Sequence, residues 1–153
     1  MKLNVGDKIP EFKLNDQNGE EVSLSDFKGT NVLLSFHPLA WTGVCTKQMK
    51  ALEKNYDKFA ENNTAAVGLS VDPVPSKKAW AGDMGLEKLK ILSDFWPHGG
   101  FADQLGIFIE EKGISGRVNI LVDDSGEILW FKVYDIPELP DIEEVIAAVE
   151  DNS

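Results

Sequence analysis

Cys45 is the only cysteine of the chain, and Arg117 is the only arginine among its 15 lysines and arginines. Cys45 closes the segment Pro38-Leu39-Ala40-Trp41-Thr42-Gly43-Val44-Cys45, just after one apolar run and at the head of an amphipathic one. A cysteine acts as a nucleophile only as the thiolate, and a free thiol titrates at about 8.5. Without a neighbouring base, two devices favour the thiolate: the positive end of a helix and a fixed cation. Arginine suits the second role better than lysine, because it stays charged and presents a rigid fork of donors. The competing reading is bland. A free cysteine on an apolar stripe is often a small buried hydrophobe, Thr42 could be only a helix cap, and Pro38 only a strand terminator. Their combination asks for more than any one of them.

The elements around Cys45 would place it well. Asn31 to Phe36 is short and nearly continuously apolar, as suits a strand buried on both faces. Pro38 ends it, since proline cannot donate to a ladder. From Thr42 the period changes: Cys45, Met49, Leu52, Tyr56 and Phe59 recur at spacings of three and four, which predicts an amphipathic helix over 43–61. Thr42 is a good N-cap, putting Cys45 about three residues into the first turn. Asn62-Asn63 stops the helix, and Ala65 to Val71 reads as a second buried strand, parallel to the first through a right-handed crossover. Arg117 opens a further strand. It meets Cys45 if that strand lies beside the one ending at Phe36.

The remaining elements complete an α/β pattern with a mixed sheet in one domain, residues 1–153. Phe12 to Leu14 and Val22 to Leu24 form a small hairpin, and Ser25 to Gly29 a turn. A helix opened by Pro75 runs to Met84 and carries Trp80; Lys90 to Leu92 is a short strand and Gly100 to Leu105 a helical turn. Arg117–Val122 and Glu127–Val133 flank Asp123-Asp124-Ser125-Gly126 as a hairpin. Pro140 introduces a closing helix whose stripe is Ile142, Val145, Ile146 and Val149, with Asp141, Glu143 and Glu144 favouring its dipole.

The net charge of −11 disfavours nucleic acid and anionic membranes as partners. No run reaches the length of a membrane span, and the stretch from Met1 to Asp7 lacks a signal-peptide core. One cysteine permits no intrachain disulfide, so the cytoplasm is the expected compartment. His37 and His98 show no ligand spacing with Cys45 that would make a metal site, and no metal or other cofactor is called for.

Pro38-x-x-x-Thr42-x-x-Cys45 resembles the signature of peroxiredoxins. The segments Phe36–Cys45, Leu92-Ser93-Asp94-Phe95-Trp96-Pro97-His98-Gly99 and Gly113-Ile114-Ser115-Gly116-Arg117 are most similar to the one-cysteine group around alkyl hydroperoxide reductase E. The resemblance implies a thioredoxin-like fold, a mixed sheet flanked by helices with an added N-terminal β-hairpin. It also implies a thiol-dependent peroxidase acting on hydrogen peroxide and organic hydroperoxides. Cys45 would attack the peroxide and become a sulfenic acid. Thr42 would orient the peroxide, Pro38 would shield the thiol, and Arg117 would hold thiolate and peroxide. The Val44 and Cys45 N–H groups would add donors. Three departures stand out. Gln48 replaces a glutamate common in relatives; it can orient Arg117 without adding charge, and with Val44 it is expected at the substrate. His37 replaces an aromatic residue. No second cysteine is present, so an external thiol or thiol protein would resolve the sulfenic acid. The resemblance further implies a homodimer, with Trp41 and Trp80 as candidate contacts, although pairing through the exposed hairpin edge is an alternative. Outside catalysis, the chain could be a non-catalytic thiol redox sensor or interaction module. A thiol reductase usually wants Cys-x-x-Cys, and here Cys45 is followed by Thr46-Lys47-Gln48.

Overall fold

The computed structural model describes residues 3–153; Met1 and Lys2, part of the stretch screened for a leader, lie outside the described residues. In chain order the elements are β1 (Lys13–Asn15), β2 (Glu21–Ser23), a 3-10 turn (Leu24–Phe27), β3 (Asn31–Phe36), α1 (Gly43–Lys54), α2 (Tyr56–Glu61), β4 (Thr64–Ser70), α3 (Val74–Met84) and β5 (Lys90–Ser93). There follow α4 (Gly100–Gln104), β6 (Phe108–Ile109), β7 (Ile114–Ser115), β8 (Arg117–Val122), β9 (Ile128–Tyr134) and α5 (Ile142–Asp151).

Seven strands form one mixed sheet in the order β2-β1-β5-β4-β3-β8-β9. β3 and β4 lie at its centre, parallel and in register from Asn31↔Thr64 to Phe36↔Leu69. β8 flanks β3 antiparallel with Phe36 opposite Val118. The start of β8 therefore meets the end of β3, and Arg117 arrives where the chain turns toward Cys45. Alternation along β3 divides the core. Leu33 packs with Cys45, Met49, Phe59, Trp80 and Val145 under α1, α2, α3 and α5. Leu34 and Phe36 pack with Phe12, Phe101 and Ile120 on the opposite face, which α4 and the first hairpin cover. β3 is thus buried on both sides, as its continuous apolar run requires.

The expected helix over 43–61 is two helices. Asn55 leaves helical geometry at φ −102° and ψ 11°, and its side-chain amide donates to Ala51 O at 2.8 Å, taking a carbonyl the ladder also uses. The apolar period continues across the break, so periodicity alone hides it. The two-stranded ribbon of β6 and β7, paired Phe108↔Ser115 and Ile109↔Ile114, is too short to leave a period. Trp80 is not an interface residue: it is 1% exposed at the centre of the helical-side core, while Trp41 is 52% exposed.

Candidate active site around Cys45

The chain leaves β3 through His37 and Pro38, both buried, and a short loop carries it to α1. That loop is pinned to the β4–α3 connection. The Ala40 N–H donates to Asp72 Oδ2 at 2.8 Å, and Trp41 Nε1 donates to Ser76 Oγ at 3.1 Å. Trp41 has φ 72°, the left-handed region that a bulky side chain enters only when its surroundings enforce it. Thr42 follows in extended geometry, and the helix starts at Gly43, so Cys45 is the third helical residue.

Thr42 holds the N-cap position without capping. Its Oγ1 donates to Leu39 O at 2.8 Å, and no first-turn N–H reaches its side chain. The hydroxyl is committed to the loop carbonyl beside it, so the cap expected from the sequence is not made. The N-terminal amides of α1, Val44 and Cys45 among them, are left for an anion.

Cys45 is fully buried, and Arg117 is 2% exposed. Arg117 Nη1 donates to Cys45 Sγ at 3.4 Å and to Gln48 Oε1 at 2.6 Å. Its Nε and Nη2 both donate to Ile136 O, at 2.9 and 2.7 Å. Gln48 is oriented in turn, with Nε2 donating to Ser35 Oγ at 2.7 Å and Phe36 O at 3.3 Å. No carboxylate pairs with Arg117 among the described residues: the ion pairs there are Lys88–Asp57 and Lys132–Glu144, both at the surface. A buried guanidinium with no carboxylate beside it is balanced best by a thiolate at the sulfur it touches.

Arg117 also lines a pocket of about 280 Å³ with Pro38, Leu39, Thr42, Gly43, Val44, Ile114, Ile136 and Pro137. Its walls are mainly apolar, and apart from Arg117 its polar groups lie at the head of α1. Gln48, expected at the substrate, is not among the lining residues and instead aims Arg117 from behind. Sequence reasoning missed Ile136 O, Ser35, Ile114 and Pro137. The Ile136 carbonyl carries no side-chain signal, whereas Ile114 stands three residues before Arg117 within a segment already singled out.

On the core side of the thiol, His37 Nδ1 faces Ser35 O at 3.4 Å, and its ring lies 5.3 Å from that of Trp80. Burial, with Lys77 and Arg117 as nearby cations, holds His37 well below the usual histidine range, so it is neutral. Lys77, on α3, is also fully buried, and neither His37 Nε2 nor Lys77 Nζ has a hydrogen-bond partner.

This arrangement joins a thiol in a first helical turn to a buried, fixed cation. The AhpC/TSA family model matches residues 5–131. The chain belongs to the AhpC/TSA family. It is 41% identical over 140 residues to alkyl hydroperoxide reductase E of Mycobacterium tuberculosis, covering 91% of each chain. It is 35% identical over 133 residues to peroxiredoxin Bcp of Escherichia coli, covering 82% of this chain and 83% of that one. Among solved structures, the reduced 2-Cys peroxiredoxin of Plasmodium vivax superposes with a TM-score of 0.87 at 27% identity, covering 95% of this chain and 80% of the other. The fold is therefore the α/β peroxiredoxin variant of the thioredoxin fold expected from the sequence. Peroxiredoxins are thiol-dependent peroxidases, and the single cysteine fits the one-cysteine group.

Proposed function

We propose that the protein reduces hydrogen peroxide and small organic hydroperoxides at Cys45 through a sulfenic acid that an external thiol resolves. The observation that carries this reading is the Arg117–Cys45 contact at 3.4 Å, made by a buried arginine without a carboxylate partner. The Cys45 thiolate attacks the terminal peroxide oxygen. An S–O bond forms, the O–O bond breaks, and the alkoxide leaves and takes up a proton. Sulfur is oxidised and the peroxide reduced. The Nη1 protons of Arg117 go to Cys45 and Gln48, so its second Nη2 N–H, with the N-terminal amides of α1, donates to the peroxide oxygens as charge develops. Thr42 Oγ1 gives its proton to Leu39 O, so it meets the peroxide as an acceptor and fixes the direction of the hydroperoxide O–H. Pro38 and the apolar walls exclude water and suit an alkyl group.

The sequence holds no second cysteine, so resolution takes two external thiols. The first forms a mixed disulfide with Cys45 and releases water; the second restores Cys45 and leaves as a disulfide. The working assembly is a homodimer. The apolar exposure of Leu39 and Trp41 beside the pocket supports this, and sedimentation of Trp41→Glu would test it: an unchanged dimer excludes that contact. The cytoplasm is the working compartment, supported by the lack of any intrachain disulfide; fractionation of tagged protein tests it.

Rapid mixing of reduced protein with peroxide, followed by tryptophan fluorescence, tests the central reading. The expected result is a fast second-order phase consuming one peroxide per chain, with turnover only when thiol is supplied. A rate no faster than that of free cysteine would end the peroxidase reading. Fast oxidation that no thiol system turns over would replace it with a redox sensor.

A further inference from the structure

Lys77 is a fully buried ionisable group that the chemistry above leaves unused. It lies on α3 one turn before Trp80, on the face defined by Lys77, Trp80 and Ala81, all of them buried. Trp80 Nε1 donates to Thr46 Oγ1 at 3.3 Å, so this face packs against the first turn of α1, one residue past Cys45. Lys77 thus lies in the core closed between α1 and α3, the core to which Cys45, Trp80 and Ala81 belong.

Two unpartnered atoms in this core are complementary. Nδ1 of neutral His37 faces a carbonyl, which can only accept, so Nδ1 carries the proton and Nε2 presents a lone pair. Lys77 Nζ presents donors only. His37 Nε2 and Lys77 Nζ are both free of partners and both shut off from solvent. The nearest acids are otherwise engaged. Asp72 Oδ2 accepts from the Ala40 N–H and from Ser70 Oγ at 2.6 Å, and Asp94 accepts from the Phe101 and Ala102 N–H groups at 3.0 and 2.9 Å.

We propose that Lys77 is a positioning residue for the peroxidase reaction, a second cation that favours the Cys45 thiolate from within the core, with the His37 Nε2 lone pair as its acceptor through one internal water. The inference rests on the reading of Cys45 as a thiolate nucleophile. The charges that act on Lys77 are those of Asp72 before α3, Cys45 on α1 and Asp94 after β5, and Lys77 in turn acts on His37 at the end of β3, as does Arg117 on β8. Burial pushes the Lys77 amine down to about 7, against the opposing pull of Asp72, Cys45 and Asp94. Coupling between two sites is reciprocal. If the thiolate helps Lys77 keep its proton, protonated Lys77 favours the thiolate by the same free energy.

The test reads alkylation of Cys45 by iodoacetamide against pH, which needs no peroxide. In Lys77→Met, the rate at pH 6.5 is expected to fall about tenfold and the profile to move up by about one pH unit, the effect of one partly screened charge. Lys77→Arg keeps the cation and is expected to restore the wild-type profile. A Lys77→Met profile superimposable on wild type would overturn the proposal. A second measurement leaves Lys77 in place: the lysine ¹³Cε resonance is titrated in wild type and Cys45→Ser. Loss of the anion is expected to lower the Lys77 midpoint, and an unchanged midpoint would overturn the proposal even if Lys77→Met did not fold. Slow peroxide reduction by wild type with these shifts intact would fault the peroxidase reading alone.

Discussion

One guanidinium nitrogen is shared between nucleophile and guide: Arg117 Nη1 stands 3.4 Å from the Cys45 sulfur and 2.6 Å from Gln48 Oε1. The other two nitrogens are held by one backbone carbonyl, that of Ile136. A lysine ammonium is a point donor on a flexible stem and cannot satisfy Ile136, Gln48 and the sulfur together. Arg117→Lys is therefore expected to slow the reaction with peroxide by roughly 100-fold, the loss typical of one fixed donor to developing charge. Stopped-flow tryptophan fluorescence measures this, and equal rates with an intact fold would remove Arg117 from the mechanism.

Gln48 aims Arg117 without drawing on its charge. In Gln48→Glu a carboxylate would take the same position, competing with the thiolate for the guanidinium and placing a second negative charge nearby. The expected outcome is a roughly three- to tenfold slower peroxide reaction near neutral pH with little change in fold, since Arg117 keeps its partner. A faster variant would show that orientation of Arg117, and not its undivided charge, limits the site.

Much of this site was legible because it depends on period and order. The change from a continuous apolar run to a 3.6 period after Pro38 placed Cys45 in a first helical turn. The hairpin around Asp123-Asp124-Ser125-Gly126 placed Arg117 at a strand start, where it could meet Phe36. What escaped was carried by atoms without side-chain identity or by short range. Ile136 acts through its carbonyl, β6 and β7 are two residues each, and the break at Asn55 lies within an uninterrupted apolar stripe. Thr42 is the instructive case. Its position follows from the spacing, but its hydroxyl takes Leu39 O over the helix, a local competition that spacing does not encode.

Gly68 on β4 leaves room for Met49 of α1 to pack close against the sheet. A Cβ there would overlap Met49 Sδ and stand 3.1 Å from Ile91 Cγ2 and 3.4 Å from His37 Cε1. Met49 is fully buried one turn beyond Cys45, so its thioether has little room to retreat. Gly68→Ala is expected to destabilise the fold by about 1–3 kcal/mol through overpacking. Urea unfolding should show a lower midpoint at unchanged slope. A midpoint equal to wild type would mean that this core yields more easily than close packing implies.

Lys77 gives the pH dependence of stability a sign. Its amine titrates at 10.5 in an ordinary environment and at about 7 in the fold, chiefly through burial. Between those values the unfolded chain holds a proton that the folded chain has released, so this group makes stability rise with pH. The cost of the buried ammonium is fully present below about pH 7 and disappears as pH climbs toward 10.5. Relative to Lys77→Met, wild type should gain up to about 1.4 kcal/mol per pH unit across that window, measured by denaturant unfolding at several pH values. Parallel pH curves for the two proteins would refute this assignment. Lys77→Met should be the more stable protein at pH 6.5, because it replaces a buried, unpartnered amine with an apolar chain of similar volume. If that same variant alkylates more slowly at Cys45, the lysine is kept against stability for its charge, as groups at working sites often are.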